Sequence, residues 1–100
     1  METFKQLVNT DTPVLIDFYA DWCGPCKAMG PVIEKLGKSV QGKARVVKIN
    51  IDKNQALASQ MQIQAVPTFV IMQNGKVVWR HSGMLDQASL MNKLLSYSGS

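Results

Sequence analysis

The chain has 100 residues, of which 46% are hydrophobic, and its 11 lysines and arginines exceed its 7 acidic residues to give a formal net charge of +4. These basic residues are spread along the chain, whereas a nucleic-acid interface clusters them on one element, so we expect no nucleic-acid partner. No apolar run reaches the roughly 20 residues that span a bilayer, and no signal-peptide pattern is present. We therefore expect one domain over residues 1–100, without membrane insertion and in the cytoplasm, or in the periplasm or another extracytoplasmic space if a leader was removed.

The first half of the chain predicts two helices and two strands in alternation. Residues 3–9 are expected to form a short helix, and the apolar run at 14–20 a strand that is buried on both faces. Helical spacing of apolar residues over 24–41 precedes a second strand at 44–52. A strand, a helix and a strand of these lengths predict a right-handed βαβ unit with a parallel pair of strands. Asn54 is expected to cap a short third helix.

The second half predicts a change to antiparallel pairing. Residues 68–73 and 76–81 flank Asn74 and Gly75, a two-residue signal for a type I′ hairpin. Asp86 then caps a final helix, and the last five residues, SYSGS, are expected to fray. The element order αβαβαββα indicates an α/β fold with a mixed central sheet that is covered by helices on both faces.

The only two cysteines lie in the stretch DWCGPCK, and the first question is whether they bind a metal. A structural zinc site needs four ligands, and beyond Cys23 and Cys26 the chain offers one histidine, His81. A haem attachment would need histidine after Cys26, where the sequence has Lys27. An iron–sulfur cluster would have to be shared between two chains. We therefore expect no metal site.

A purely structural disulfide between Cys23 and Cys26 is also disfavoured. Such a bridge closes a loop over two residues, and the stabilisation from loop closure grows with loop length. Cys23 instead falls at the strand-to-helix corner, where free N–H groups and partial positive charge stabilise a thiolate. Two thiols one turn apart, the first activated and the second able to resolve a mixed disulfide, predict a reversible redox pair.

Asp17 is a charged residue in the middle of the strand that we expect to be buried. Desolvation should raise the pKa of its carboxyl group. A neighbour such as Lys48, on the adjacent strand, could satisfy it, and this does not exclude a functional role. Our hypothesis is that Asp17 accepts the proton of Cys26, through one water, when Cys26 attacks the mixed disulfide.

Two further positions flank the cysteines. The Val66-Pro67 bond precedes the third strand and is either an ordinary strand entry or a cis bond that presents backbone groups to a partner, and the sequence does not separate these. Trp22, next to Cys23, is a candidate for covering the site.

The segments DFYADWCGPCK, KINID, AVPTF, NGK and a following glycine turn occur together and in order, and with them nearly the whole chain resembles the thioredoxin family. The resemblance implies the thioredoxin fold, with Cys23 as the exposed nucleophile and Cys26 as the buried resolving thiol. It also implies that Asp17 is the buried acid, that Lys48 is its partner, and that Pro67 is the cis-proline beside the disulfide.

The resemblance further implies a surface that holds an extended substrate segment. Its residues would be Trp22, Val66, Pro67 and Gly83, with backbone hydrogen bonds at Val66. The Gly24-Pro25 pair between the cysteines is the one found in general reductants of this superfamily. The implied activity is the reduction of disulfides in substrate proteins by a monomer that binds no cofactor itself and is re-reduced by a flavin-dependent thioredoxin reductase.

The chain departs from the family pattern at its start, which corresponds to the family's first helix. We therefore expect four strands in place of five, which exposes the edge of the strand at 44–52. Lys43, Arg45 and Lys48 could protect that edge from pairing with other chains.

Two alternatives remain open on the sequence. One is an extracytoplasmic thioredoxin-like reductase that receives electrons from a membrane partner, since the same residues would serve it. The other is a non-catalytic binding subunit of the same fold, in which the cysteines are incidental.

Overall fold

The computed structural model describes residues 2–99. It contains the eight predicted elements in the predicted order: α1 Phe4–Val8, β1 Val14–Tyr19, α2 Gly24–Ser39, β2 Arg45–Asn50, α3 Gln55–Gln60, β3 Thr68–Gln73, β4 Lys76–Ser82 and α4 Gln87–Leu95. For the six elements whose two bounds were predicted, α1, β1, α2, β2, β3 and β4, the bounds agree to within two residues.

Side chains cap the starts of three of the four helices within residues 2–99, and the cap by Asp86 was predicted. The Thr3 hydroxyl accepts a hydrogen bond from the Gln6 N–H, and the Gln6 side chain accepts one from the Thr3 N–H, which is a capping box. The Asp86 carboxylate caps α4 by accepting from the Ser89 N–H at 3.0 Å. Asn54 lies at the predicted cap position of α3, but its side chain makes no capping hydrogen bond to that helix. Its amide instead donates a hydrogen bond to the Asn50 carbonyl.

The four strands form one mixed sheet in the order β2-β1-β3-β4. β1 pairs in parallel with β2 and antiparallel with β3, and the β3–β4 hairpin is antiparallel. Asn74 and Gly75 have φ values of 53° and 77°, the left-handed conformations that a type I′ turn requires. The sheet confirms the predicted α/β class and the count of four strands for the part of the chain that the structure describes.

β1 lies at the centre of the sheet, and residues 14–18 are fully buried. One apolar cluster fills the face between the sheet and helices α2 and α4, with Leu36 and Leu90 among its buried members. A second cluster fills the opposite face, where Val8 of α1 packs with Ile16 and Val70. Helices therefore cover both faces of the sheet, and the end of β1 is held rigidly where it leads into α2.

The expectation that the last residues fray is wrong for Tyr97. Its hydroxyl donates to the Val78 carbonyl at 3.0 Å, and its own carbonyl accepts from the Gln73 side chain. Val78 is the extra residue at an irregularity in the β3–β4 ladder, so this hydroxyl satisfies a carbonyl on an edge strand. The last residue of SYSGS lies outside the described part of the chain. None of the helices within residues 2–99 is both long and apolar enough to cross a membrane.

Candidate active site

The two cysteines lie where β1 turns into α2 and are joined as a disulfide. Cys23 is the residue that caps α2, and its sulfur accepts a hydrogen bond from the Cys26 N–H at 3.1 Å. Pro25, which has no N–H, occupies the first turn, where helix N–H groups have no intrahelical partner. The predicted position of Cys23 at a helix N-terminus is confirmed, and this is a setting that stabilises a thiolate.

The accessible surface does not separate the two cysteines as expected. Cys23 is 4% exposed and Cys26 is 5% exposed, so the expectation of an exposed Cys23 is wrong for the disulfide form. Both pack in a small cluster with Ala20, flanked by the half-buried Ile51 and Val66. The contacts of Cys23 set it apart, because its sulfur receives the Cys26 N–H and lies 3.6 Å from the Val66 carbonyl oxygen.

The loop before β3 and the loop after β4 lie at the same end of the sheet as the end of β1, which leads to the cysteines. The Val66-Pro67 bond is cis, which decides between the two readings that the sequence left open. The Pro67 carbonyl accepts a hydrogen bond from the Gly83 N–H at 2.8 Å. Gly83 has a φ of 100°, a backbone conformation that residues other than glycine rarely adopt. The structure thus places the Val66 carbonyl beside the Cys23 sulfur and ties the adjacent Pro67 to Gly83 by a hydrogen bond.

Trp22 stands out from this group as an exposed aromatic residue. Its indole N–H donates a hydrogen bond to the Asp52 carboxylate at 2.9 Å, and the residue is 68% exposed. Sequence reasoning did not identify Asp52 as a site residue. The signal was available, since Trp22 follows β1 and Asp52 follows β2, and parallel neighbours end at the same edge of a sheet.

Asp17 is fully buried in β1, level with Lys48 of β2 and Phe69 of β3. Residues 2–99 provide neither carboxylate oxygen with a hydrogen-bond partner. Desolvation raises the pKa of Asp17 from 3.8 to about 6, and the positive charge of Lys48 acts in the opposite direction. The expected upward shift is confirmed, and Lys48 acts on Asp17 through its charge and not through a direct bond.

The ammonium group of Lys48 lies 4.6 Å from the centre of the Tyr19 ring, a favourable cation–π position. Both residues line a surface cavity of about 480 Å³ together with Cys26, Lys27 and Gly30. This cavity gives access to the disulfide from the Cys26 side. Residues 2–99 contain no group of three or more His, Cys, Asp and Glu side chains that could hold a metal ion.

Comparison with known proteins identifies the family. The thioredoxin family model matches residues 1–96. The chain is 43% identical over 86 residues to a thioredoxin from Haemophilus influenzae, an alignment that covers 86% of this chain and 80% of the relative. It is 40% identical over 94 residues to a thioredoxin from Chlorobaculum thiosulfatiphilum, covering 94% and 87%.

A solved structure of a mutant thioredoxin from Halobacterium salinarum superposes with a TM-score of 0.84 at 41% identity, covering 100% of this chain and 89% of that one. The fold, the cysteine pair at the β1–α2 corner and these relatives agree. The chain belongs to the thioredoxin family.

Proposed function

We propose that the protein reduces disulfide bonds in other proteins by two successive exchange reactions through Cys23 and Cys26. As a member of the thioredoxin family it is a protein-disulfide oxidoreductase. The observation that carries the assignment of Cys23 as the attacking sulfur is the hydrogen bond from the Cys26 N–H to the Cys23 sulfur. The Gly24-Pro25 pair between the cysteines, which the general reductants of this superfamily share, supports the reducing direction. A donor at a helix N-terminus stabilises negative charge on that sulfur and so favours the thiolate that attacks.

In the first step the Cys23 thiolate attacks one sulfur of a substrate disulfide. A Cys23–substrate disulfide forms, and the other substrate sulfur leaves as a thiolate. We assign the orientation of this substrate to Trp22, Val66, Pro67 and Gly83. The Val66 carbonyl supports this assignment, since an acceptor 3.6 Å from the Cys23 sulfur can also receive a backbone N–H from an extended segment.

In the second step the Cys26 sulfur attacks Cys23, which releases the reduced substrate as a thiolate and restores the Cys23–Cys26 disulfide. Cys26 must lose its proton, and we assign Asp17 as the acceptor. A carboxyl group with a pKa of about 6 is mostly ionised at neutral pH yet basic enough to take a proton. The positive charge of Lys48 lowers the pKa of Asp17 and so keeps it from rising further with burial.

Two electrons must then be returned to the pair. We assign this step to a flavin-dependent thioredoxin reductase, so that the flavin belongs to the partner and this chain binds no cofactor. The proposal includes a single domain that acts as a monomer in electron transport in the cytoplasm, where a reducing compartment favours a dithiol donor.

The test is the equilibrium of the Cys23–Cys26 pair in a series of glutathione redox buffers, read by trapping free thiols with a mass-tagged alkylating reagent. We expect the pair to remain oxidised until the buffer is more reducing than the glutathione pool of a cell, because a general reductant holds a low potential. A pair that is already reduced in mildly oxidising buffer would identify an oxidase or isomerase and would overturn the proposed direction.

A further inference from the structure

The outer edge of β2 carries backbone groups that bond no other part of the described chain. The N–H groups of Arg45 and Ile51 donate to carbonyls in or next to β1 at 3.0 and 2.9 Å. Because alternate residues of a strand face the same neighbour, the N–H and C=O groups of Val46 and Lys48 point away from β1. Within residues 2–99 these groups have no hydrogen-bond partner. They form a short template for one more strand.

A groove of about 500 Å³ runs beside this edge, between β2 and α2. Pro31, Ile33 and Val46 line it together with the charged Glu34 and Lys48, and Gly30 and Gly37 leave room on the α2 side. A Cβ atom on Gly37 would lie 3.8 Å from the Val46 Cβ, within van der Waals contact. The space between α2 and β2 at this point therefore exists because residue 37 has no side chain. Side chains on one face of an added strand would enter this groove, where Pro31, Ile33 and Val46 offer contacts to apolar ones.

The opposite face of the same edge is cationic. Arg45 and Val47 are two residues apart in β2 and face the same side of the sheet, the side on which Val47 packs with α1 and α3. The Arg45 guanidinium donates two hydrogen bonds to the Glu2 carboxylate, at 3.1 and 3.2 Å. Lys43 lies two residues earlier, and no acidic residue occurs from 43 to 49. Glu2 demonstrates that a carboxylate on a neighbouring segment reaches this edge. A second copy of the chain would instead oppose one set of cations with another.

We propose that the β2 edge and its groove form a docking surface for an extended segment of a partner protein, in which apolar residues alternate with acidic ones. The segment adds to the sheet beside β2 through the free backbone groups of Val46 and Lys48. Its apolar side chains enter the groove against α2. Its carboxylates face Lys43 and Arg45 and compete with Glu2. This surface is separate from the one assigned to disulfide substrates and does not depend on that assignment.

The experiment titrates the full chain into a fluorescein-labelled octapeptide of alternating Val and Glu and follows anisotropy. Hydrogen exchange then locates the site, since added backbone bonds should slow exchange of the Val46 and Lys48 amides. A peptide with the same side chains but methylated backbone nitrogens loses the donors. We expect it to bind at least about tenfold more weakly.

Three variants separate this edge from general charge attraction. Lys43→Glu should weaken binding by about fivefold or more, whereas Lys93→Glu, an equal charge change on α4, should change it less than about twofold. Glu2→Gln should strengthen binding several-fold, because it removes the competing carboxylate from Arg45. Gly37→Leu should weaken binding by filling the groove.

Three outcomes would overturn the proposal. One is that no binding is detected, in which case Lys43, Arg45 and Lys48 only keep other strands away from an exposed edge. Another is equal binding of the methylated peptide, which would leave a charge effect alone. The last is that, without peptide, exchange of the Val46 and Lys48 amides slows as the protein concentration rises and sedimentation shows a dimer. That result would assign the edge to a second copy of the chain.

Discussion

The two sides of the disulfide are equally hidden from solvent, yet they differ in every other respect. The Cys23 side faces backbone groups and an exposed aromatic residue, with the Val66 carbonyl 3.6 Å from the sulfur and Trp22 at the surface. The Cys26 side faces a cavity that Lys48 also lines, and Lys48 lies level with Asp17, which is buried in β1. Burial alone therefore does not distinguish an attacking thiol from a resolving one. In our proposal the Cys23 side binds the substrate, and on the Cys26 side Asp17 accepts the proton of the Cys26 thiol.

The largest effect should come from removing one sulfur at a time. With Cys26→Ser, Cys23 can still attack, so a mixed disulfide with the substrate should accumulate and turnover should fall by at least about a thousandfold. With Cys23→Ser no such adduct should form in the same time. Intact-mass spectrometry of both variants after mixing with a disulfide-containing protein checks this. Adducts of equal amount on both variants would show that either sulfur can attack, and the comparison between the two sides would fail.

Replacing Asp17 should change stability in a pH-dependent manner. The folded state holds the pKa of Asp17 at about 6, raised from 3.8, so between these pH values the folded state binds more protons than the unfolded state. The free energy of unfolding should therefore fall as pH rises through this window. Above it the cost should reach about 3 kcal/mol at most. Asp17→Asn should remove this fall and be more stable at pH 7, as measured by denaturant unfolding of the disulfide form from pH 3 to pH 8.

The same variant tests whether the acid on the Cys26 side acts in catalysis. Without a proton acceptor, release of the reduced substrate from the mixed disulfide should slow by about tenfold to a hundredfold at pH 7. Attack by Cys23 should be much less affected, and stopped-flow measurement of the two phases separates them. If both phases slowed equally, Asp17 would be acting on the whole site through structure and not on Cys26.

A smaller effect should follow from neutralising Lys48. Its positive charge lowers the pKa of Asp17 against the effect of burial, so Lys48→Gln should raise that pKa further. The fall in stability with pH should then end at a higher pH than in the parent protein. Lys53→Gln removes an equal charge from an exposed site and is the matched control. An unchanged profile in Lys48→Gln would mean that solvent screens the lysine from the carboxylate.

The fold and the chemistry of the site could be predicted from the sequence because they depend on local or strongly patterned signals. The apolar run from Val14 predicts a central strand, Asn74-Gly75 predicts the hairpin, and the CGPC spacing predicts the redox pair at a helix start. The remaining features depend on contacts between distant segments. Cys23 is buried by packing with Val66, and Tyr97 is anchored by a carbonyl on β4. No local pattern around either residue encodes these contacts.

The smallest effect should come from the link between Trp22 and Asp52 on the Cys23 side. Asp52→Ala removes the acceptor that holds the indole N–H at 2.9 Å, in an exposed setting where such a bond contributes about 1 kcal/mol or less. The ring should then be less well ordered, so KM for a protein disulfide should rise by about twofold to fivefold while kcat stays the same. Asp52→Asn keeps an oxygen acceptor and should restore most of the loss. If both variants behaved alike, the negative charge of Asp52 and not its hydrogen bond would matter, and the Cys23 side would be shaped by electrostatics as the Cys26 side is.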